Sequence, residues 1–200
     1  MFKSNPVARA LRKPGLKWLR ALAAAVIASS ASVPATAQTS QADSVDALHA
    51  AFLFNFAKFT TWPTVNDLDT SIKFCVQSGA IGQEAFAGWG KKRIQNRPVR
   101  VAFFSQFTES DLQNCSILFF SEPPQGADMK WLAEVSAANN TLMVSDIEGF
   151  SAQGGHIELY LANRRLRFKV NLGALEKARL SLGAGVLNLA EIVSPTGAPK

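Results

Sequence analysis

Few residues of this sequence could do chemistry, and their spacing matches none of the common catalytic arrangements. The 200-residue chain contains two histidines, His49 and His156, and two cysteines, Cys75 and Cys115. No carboxylate or serine stands at motif spacing from His156, and a structural role is the simpler interpretation for His49, which lies on an apolar stretch. The His, Cys, Asp and Glu residues form no cluster with metal-ligand spacing. The sequence therefore predicts a protein that is not an enzyme and has no metal site and no cofactor.

Two short patterns follow predicted strands, where ligand sites often form. Gly79-x-x-Gly82 is half of a phosphate-cradling turn, but it lacks the third glycine and the acidic residue of the dinucleotide fingerprint. Ser145-Asp146 and Glu148 also suit a plain Asx turn. Neither pattern by itself indicates a ligand.

The first 37 residues have the order of a secretory signal peptide. Six basic residues precede or enter an apolar segment at residues 19–27, and Ala35-Thr36-Ala37 supplies the small-x-small pattern of a cleavage site before Gln38. The apolar segment is shorter than the roughly 20 residues that a membrane-spanning helix needs. We therefore expect export to the periplasm, with residues 1–37 removed and no direct membrane insertion.

The net charge is +6 for the whole chain, but removal of the signal segment lowers it. The signal segment carries 6 of the 21 basic residues, so 15 remain against 15 acidic residues. A neutral mature chain gives no electrostatic basis for binding nucleic acid. The run Arg164-Arg165-x-Arg167-x-Lys169 is a local basic cluster of the kind that usually forms a solvated face.

The two cysteines both lie in the mature chain. Cys75 and Cys115 are neither a redox CxxC pair nor half of a zinc site, and an even count in an oxidising compartment favours a disulfide. We expect the bond to tie two neighbouring strands and to stabilise the fold by roughly 4 kcal/mol. Two free buried thiols are the alternative.

Residues 51–63, AFLFNFAKFTTWP, form the most distinctive stretch. A helix from about Val45 would place one apolar face toward the core, and Trp62-Pro63 would end it. The face comprises Val45, Leu48, His49, Phe52, Leu53, Phe56 and Phe59. Phe54 points to the opposite side of this helix. Either a second layer covers Phe54, for instance the C-terminal helices around Leu187 and Leu189, or Phe54 anchors a partner.

The second alternative predicts a partner-binding surface on the helix. Lys58 shares the side of Phe54, Asn55 lies beside them, and Trp62 follows at the end of the helix. An aromatic ring beside a charged residue is the composition expected of an interface hot spot. This surface would meet a second copy of the chain or another protein.

The remaining pattern predicts a mixed α/β fold: a mostly parallel sheet with an antiparallel hairpin and helices on both faces. We expect a single domain over residues 38–193 and a flexible tail over 194–200. The expected strands are residues 72–76, 99–104, 117–120 and 141–144, with a hairpin of 157–161 and 166–170 around Asn163-Arg164. The expected helices are residues 83–92, with Phe86 and Trp89 inward, 129–138, 172–180 and 186–192, with a helix cap at Thr108-x-x-Asp111.

Several segments together resemble the YfiR family of periplasmic proteins, and the aromatic helix ending in Trp-Pro is the most specific. The others are the strand that holds Cys75, CSILF at 115–119, TLMVSD at 141–146, Gly149-Phe150, Gly154-Gly155 and RFKVNL at 167–172. The chain departs from the family pattern at Lys169, where an acidic residue is usual, and at Gly183-Ala184-Gly185, which replaces a serine-rich segment. In the family, cysteine oxidation is linked to stability and to signal sensing. This chain has only one cysteine pair for such a role.

The resemblance implies an often dimeric periplasmic regulator that binds and represses a membrane-anchored diguanylate cyclase and so lowers cyclic-di-GMP signalling. The partner would be the periplasmic sensor domain of that inner-membrane protein. The alternative is a periplasmic sensory protein that binds a small molecule or nucleotide. Its candidate ligand-binding residues are Gly154 and Gly155, near Arg167 and Asn171, or the turn at Gly79–Gly82.

Overall fold

A computed structural model describes residues 39–63, 71–126 and 128–193. The predicted signal peptide, the predicted loop at 64–70 and the tail at 194–200 lie outside the described residues. The first element is helix α1, Thr39–Phe59. Within the described residues, no helix is both long enough and apolar enough to cross a membrane.

Eight strands form the main sheet in the order β10-β8-β7-β6-β5-β2-β4-β3. Neighbouring strands are parallel except in the pairs β7–β8 and β3–β4. A separate two-stranded sheet joins β1 and β9. The strand bounds are β1 Thr60–Thr61, β2 Ile72–Gln77, β3 Arg93–Ile94, β4 Arg97–Phe104, β5 Ile117–Phe120, β6 Leu142–Ser145, β7 Ile157–Ala162, β8 Arg165–Asn171, β9 Ser181–Leu182 and β10 Glu191–Val193.

The central strands are buried on both faces, as their continuous apolar sequences predict. All four residues of β5 and all four of β6 are buried. Alternate side chains enter two separate apolar clusters, so Phe119 packs on the α1 side and Leu118 on the other. The second cluster includes residues of α2, Glu109–Leu112, and α3, Met129–Asn139. The predicted mixed α/β fold with helices on both faces is therefore confirmed.

Local sequence signals set several element ends. The Thr108 hydroxyl accepts a hydrogen bond from the Asp111 N–H while the Asp111 carboxylate accepts one from the Thr108 N–H, which confirms the predicted cap. The β7–β8 hairpin turns at Asn163 and Arg164, both at positive φ (51° and 60°), as a type I′ turn requires. The stretch predicted as a helix at residues 83–92 contains two 3₁₀ turns, Gln83–Phe86 and Trp89–Lys91, and both predicted aromatic rings are buried.

The C-terminal part requires a correction. Helix α4 is Leu172–Lys177, but the second helix, α5, is only Ala184–Leu187. Residues 191 and 192, predicted as the end of a helix over 186–192, instead form strand β10 together with Val193, parallel to β8. The physical reason is that Ile192 and Val193 are β-branched and the backbone of β8 offers an unpaired edge at Lys169–Asn171.

The inner face of α1 also differs from the predicted stripe. Val45, Leu48 and Phe59 are 38%, 41% and 44% exposed, whereas Ala50 and Ala57 are fully buried. These small alanines let the helix approach the sheet closely, which rotates its contact face by about one residue. The helix also begins six residues before the expected Val45 and ends three residues before Trp62.

Candidate functional site

The inner side of α1 holds the helix in place on the sheet. Leu53, Phe56 and Ala57 are buried in the main apolar cluster. The ring of Phe56 meets Phe168 of β8 edge to face, with centroids 5.0 Å apart, and Phe52 contacts the same ring at 5.9 Å. Because these rings anchor both the middle and the end of the helix, its outer side is presented in a fixed orientation.

On the outer side, Phe54 is half-buried rather than free. Its ring lies edge to face on Trp89, with centroids 5.1 Å apart, and the Lys92 ammonium lies 4.8 Å from the ring centroid. A second layer of protein, the two 3₁₀ turns, therefore covers part of Phe54. The sequence suggested that the C-terminal helices around Leu187 and Leu189 would cover Phe54, but the Trp89 ring packs on Phe54 instead.

A shallow cleft of about 330 Å³ opens beside Phe54. Besides Phe54, the cleft is lined by five alanines, the Trp89 ring and two polar residues: Ala47, Ala50, Ala51, Ala85, Ala87, Trp89, Asn55 and Lys92. Five alanines leave room for an incoming side chain, while the aromatic rings give it an apolar wall and Lys92 a charge. The sequence did not single out Lys92, although its spacing from Trp89 within the same short segment was the available signal.

Two of the four predicted partner-binding residues share this cleft, and two lie elsewhere. Phe54 and Asn55 line it together. Lys58 is exposed, but its ammonium lies over the Phe59 ring at 5.3 Å. Trp62 is half-buried and lines two other clefts, and its indole N–H has no hydrogen-bond partner among the described residues.

The turn at Gly79–Gly82, which resembles half of a phosphate site, binds a carboxylate of the same chain. The Gly82 N–H donates to a carboxylate oxygen of Asp46 at 2.7 Å, which ties the first half of α1 to this turn. His49, one turn farther along α1, is buried, and its Nδ1 has no partner among the described residues. Burial lowers the pKa of His49, against the smaller opposite effects of Asp146 and Asp46.

The predicted ligand-binding residues have structural contacts. The Asn171 amide donates to the Ser151 carbonyl at 2.7 Å and its oxygen accepts from the Ala174 N–H, which caps α4. Gly155 lies against the Phe150 ring, because an added Cβ would come within 2.3 Å of it.

Gly154 and Asn171 line one cleft of about 410 Å³ between α3 and α4. Arg167 is exposed on β8 and is not among the residues that line this cleft. The structure therefore brings part of the predicted set together, and its role in ligand binding stays a prediction.

A buried polar group that the sequence did not reveal supports this end of the sheet. The Glu158 carboxylate accepts hydrogen bonds from the Ser151 hydroxyl at 2.7 Å and from Lys169 at 2.8 Å. Burial alone would raise the pKa of Glu158, but the hydrogen bonds from Lys169 and Ser151 outweigh it, and the pKa lies below its usual value. The ammonium of Lys169 neutralises this carboxylate.

His156 is a second buried polar group. Its Nδ1 accepts from the Met143 N–H at 3.0 Å, and burial lowers its pKa to about 4 against the raising effect of a hydrogen bond with the Ala174 backbone. The ring is neutral at pH 7 and joins β6 to α4. These hydrogen bonds give the ring a structural role.

The predicted disulfide is present. Cys75 of β2 and Cys115, two residues before β5, are bonded with their Cα atoms 5.8 Å apart, and both side chains are buried. Within the described residues no group of three or more His, Cys, Asp or Glu side chains could hold a metal ion.

Comparison with known proteins gives the family. A profile of the YfiR/HmsC-like family matches residues 46–191, which is most of the chain. The chain belongs to the YfiR/HmsC-like family. Members of this family are periplasmic regulators of cyclic-di-GMP signalling, and they are generally not enzymes.

The other comparisons are distant. A crystal structure of a conserved domain protein from Vibrio cholerae O1 biovar El Tor is similar with a TM-score of 0.47 at 8% sequence identity. The match covers 74% of this chain and spans 60% of that protein. No curated protein sequence matches this chain.

Proposed function

We propose that this protein binds the periplasmic sensor domain of an inner-membrane diguanylate cyclase and represses it, thereby lowering cyclic-di-GMP signalling. The family match over residues 46–191 carries this proposal, since the family regulates that signalling pathway from the periplasm. The disulfide is consistent with an oxidising compartment. The predicted signal peptide, with cleavage before Gln38, would deliver the chain there.

We place the contact at the cleft beside Phe54. The ring of Phe54 is already held by Trp89 and Lys92, so little side-chain entropy would be lost when a partner covers it. Asn55 is exposed at the rim and can donate or accept hydrogen bonds. Such a rigid aromatic anchor beside polar groups is typical of interface hot spots.

The walls of the cleft indicate what the partner contributes. The alanine-lined floor fits one apolar side chain, and Lys92 at the rim favours a neighbouring carboxylate over a cation. A helix of the sensor domain that carries both groups about one turn apart would satisfy both positions.

The experiment compares two alanines that are both exposed on helices. Ala51→Arg fills the cleft with a long charged side chain, whereas Ala138→Arg places the same side chain on α3 as a matched control. Cells that lack the gene should contain more cyclic-di-GMP. Wild type and Ala138→Arg should restore the lower level, and Ala51→Arg should not.

A direct binding measurement accompanies the cellular one. The relevant cyclase is the one whose deletion removes the excess cyclic-di-GMP. Its purified sensor domain should bind wild type and Ala138→Arg equally well. It should bind Ala51→Arg at least about tenfold more weakly. An unchanged cyclic-di-GMP level after gene deletion would contradict the regulatory role. If Ala51→Arg dissociates a homodimer but represses normally, the cleft is a self-association surface.

A further inference from the structure

The tip of the β7–β8 hairpin carries three arginines, at positions 164, 165 and 167, that the proposed function does not use. All three are exposed. Among the described residues the two ion pairs are Lys130–Glu134 and Lys169–Glu158, so no carboxylate of the described chain pairs with these guanidinium groups. The neighbouring polar groups, by contrast, are paired: Tyr160 donates to Glu191 at 3.0 Å.

Arg164 stands in a backbone conformation that disfavours it. It occupies the second central position of the type I′ turn at φ 60°, where glycine is the preferred residue. An arginine there strains the backbone, and the fold gains no hydrogen bond or ion pair from it that the structure records. A residue that strains the backbone and whose side chain has no recorded partner in the fold points to a role in binding another molecule.

The surface around the arginines has the composition of a binding site. Tyr160, Arg165 and Arg167 share one face of the β7–β8 pair, because side chains alternate along a strand. Leu189, two residues before the point where β10 pairs with Lys169, is 72% exposed. Tyr160 lies directly across the strand pair from Arg167 and is half-buried. Arginine and tyrosine are the residue types enriched in protein interface hot spots, and an exposed leucine adds an apolar contact.

We propose that this hairpin surface binds an acidic polypeptide segment. The planar guanidinium groups would each form paired hydrogen bonds with a carboxylate, and the Tyr160 ring, across from Arg167, would contact an apolar side chain between the acidic ones. The arginines and the tyrosine favour a polypeptide over a membrane surface, where lysines and a larger apolar tip would serve as well. The hairpin shares no residue with the cleft beside Phe54, so either proposal can fail without the other.

The test uses the purified protein and a labelled dodecapeptide of alternating glutamate and leucine, measured by fluorescence anisotropy. Wild type should bind it with an affinity that falls as salt rises, and should bind the lysine–leucine analogue much more weakly. Removing all three charges by Arg164→Gly, Arg165→Gln and Arg167→Gln should weaken binding by about tenfold or more. The matched control Lys91→Gln, Arg100→Gln and Lys177→Gln removes three exposed cations elsewhere and should bind like wild type.

Arg164→Gly alone separates function from folding. Relief of the turn strain should raise Tm by about 2–4 °C while the affinity for the peptide falls. If Arg164 served only the fold, its replacement would not raise stability and weaken binding at the same time. A fall in Tm, or unchanged peptide binding by the triple hairpin variant, would overturn the proposal. An equal loss of peptide binding in the triple control variant would show that the peptide binds by non-specific electrostatic attraction, and would also overturn the proposal. Cosedimentation with vesicles of 30% phosphatidylglycerol in phosphatidylcholine, without binding to the peptide, would assign the surface to membranes instead.

Discussion

Replacing both cysteines with alanine removes the Cys75–Cys115 disulfide and leaves no thiol, and the structure sets how much stability should be lost. The bond closes a loop between residues 40 apart in sequence. Loop-closure entropy for that length corresponds to about 4 kcal/mol in the free energy of unfolding. Both side chains are buried, so loss of the two sulfur atoms also leaves a small void, worth about 1 kcal/mol more.

The assay is thermal unfolding followed by circular dichroism. For a domain of this size each kcal/mol shifts Tm by about 2–4 °C, so the double-alanine variant should melt about 10–20 °C below the oxidised wild type. Wild type unfolded and refolded in reductant should melt close to the variant, because both lack the same cross-link. Native wild type should lose the bond slowly, since reductant must wait for the buried sulfur atoms to be exposed.

Two results would refute this reasoning. Two free thiols in unreduced, denatured wild type would mean that the bond does not form. A double-alanine variant that melts with the oxidised wild type would mean that the bond forms without restricting the unfolded chain, and the loop-closure argument would fail for this protein.

Three further predictions address two single residues and the N-terminal segment. Phe54→Ala should lower the free energy of unfolding by about 1–2 kcal/mol in urea titrations, because the ring is half-buried, whereas the fully buried control Phe56→Ala should lose about 3–5 kcal/mol; equal losses would contradict the partial burial. His156 has a folded pKa of about 4, below its unfolded value, so its contribution is present above pH 6.5 and roughly 3 kcal/mol is lost as pH falls to 4. His156→Gln should flatten this part of the pH–stability curve, and an equally steep curve in the variant would assign the acid sensitivity to other groups. Intact-mass measurement of the exported protein should give a chain that begins at or near Gln38, and retention of residues 1–37 would exclude cleavage.

The sequence predicted those parts of the fold that local patterns determine. The apolar runs of β5 and β6, the hairpin around Asn163-Arg164 and the cap at Thr108 are all read within a few neighbouring residues. The disulfide was also predictable, because an even cysteine count together with a signal peptide leaves few alternatives. For the strands, the hairpin and the cap, one short stretch contains the whole physical cause, whereas the disulfide follows from the cysteine count and the expected compartment.

The errors arose where distant segments decide the structure. Residues 191–193 became a strand because β8 offered an edge, and that edge is invisible in the sequence of residues 186–192. The buried group of Glu158, Ser151 and Lys169 joins residues from a loop and two strands. Only the register of β7 against β8 places Lys169 directly opposite Glu158.

The surroundings of Phe54 show how such a distant effect creates a surface. Helical periodicity correctly placed the ring away from the sheet, but it could not show that Trp89 would lie on it. Gly88, at φ 76°, lets the chain turn sharply between the two 3₁₀ turns and directs Trp89 back toward α1, where it contacts Phe74 and Phe54 from two sides. Trp89 therefore belongs to the core and to the wall of the cleft at once. The ring that fixes Phe54 is itself fixed by the sheet, which is why a partner would meet a rigid surface there.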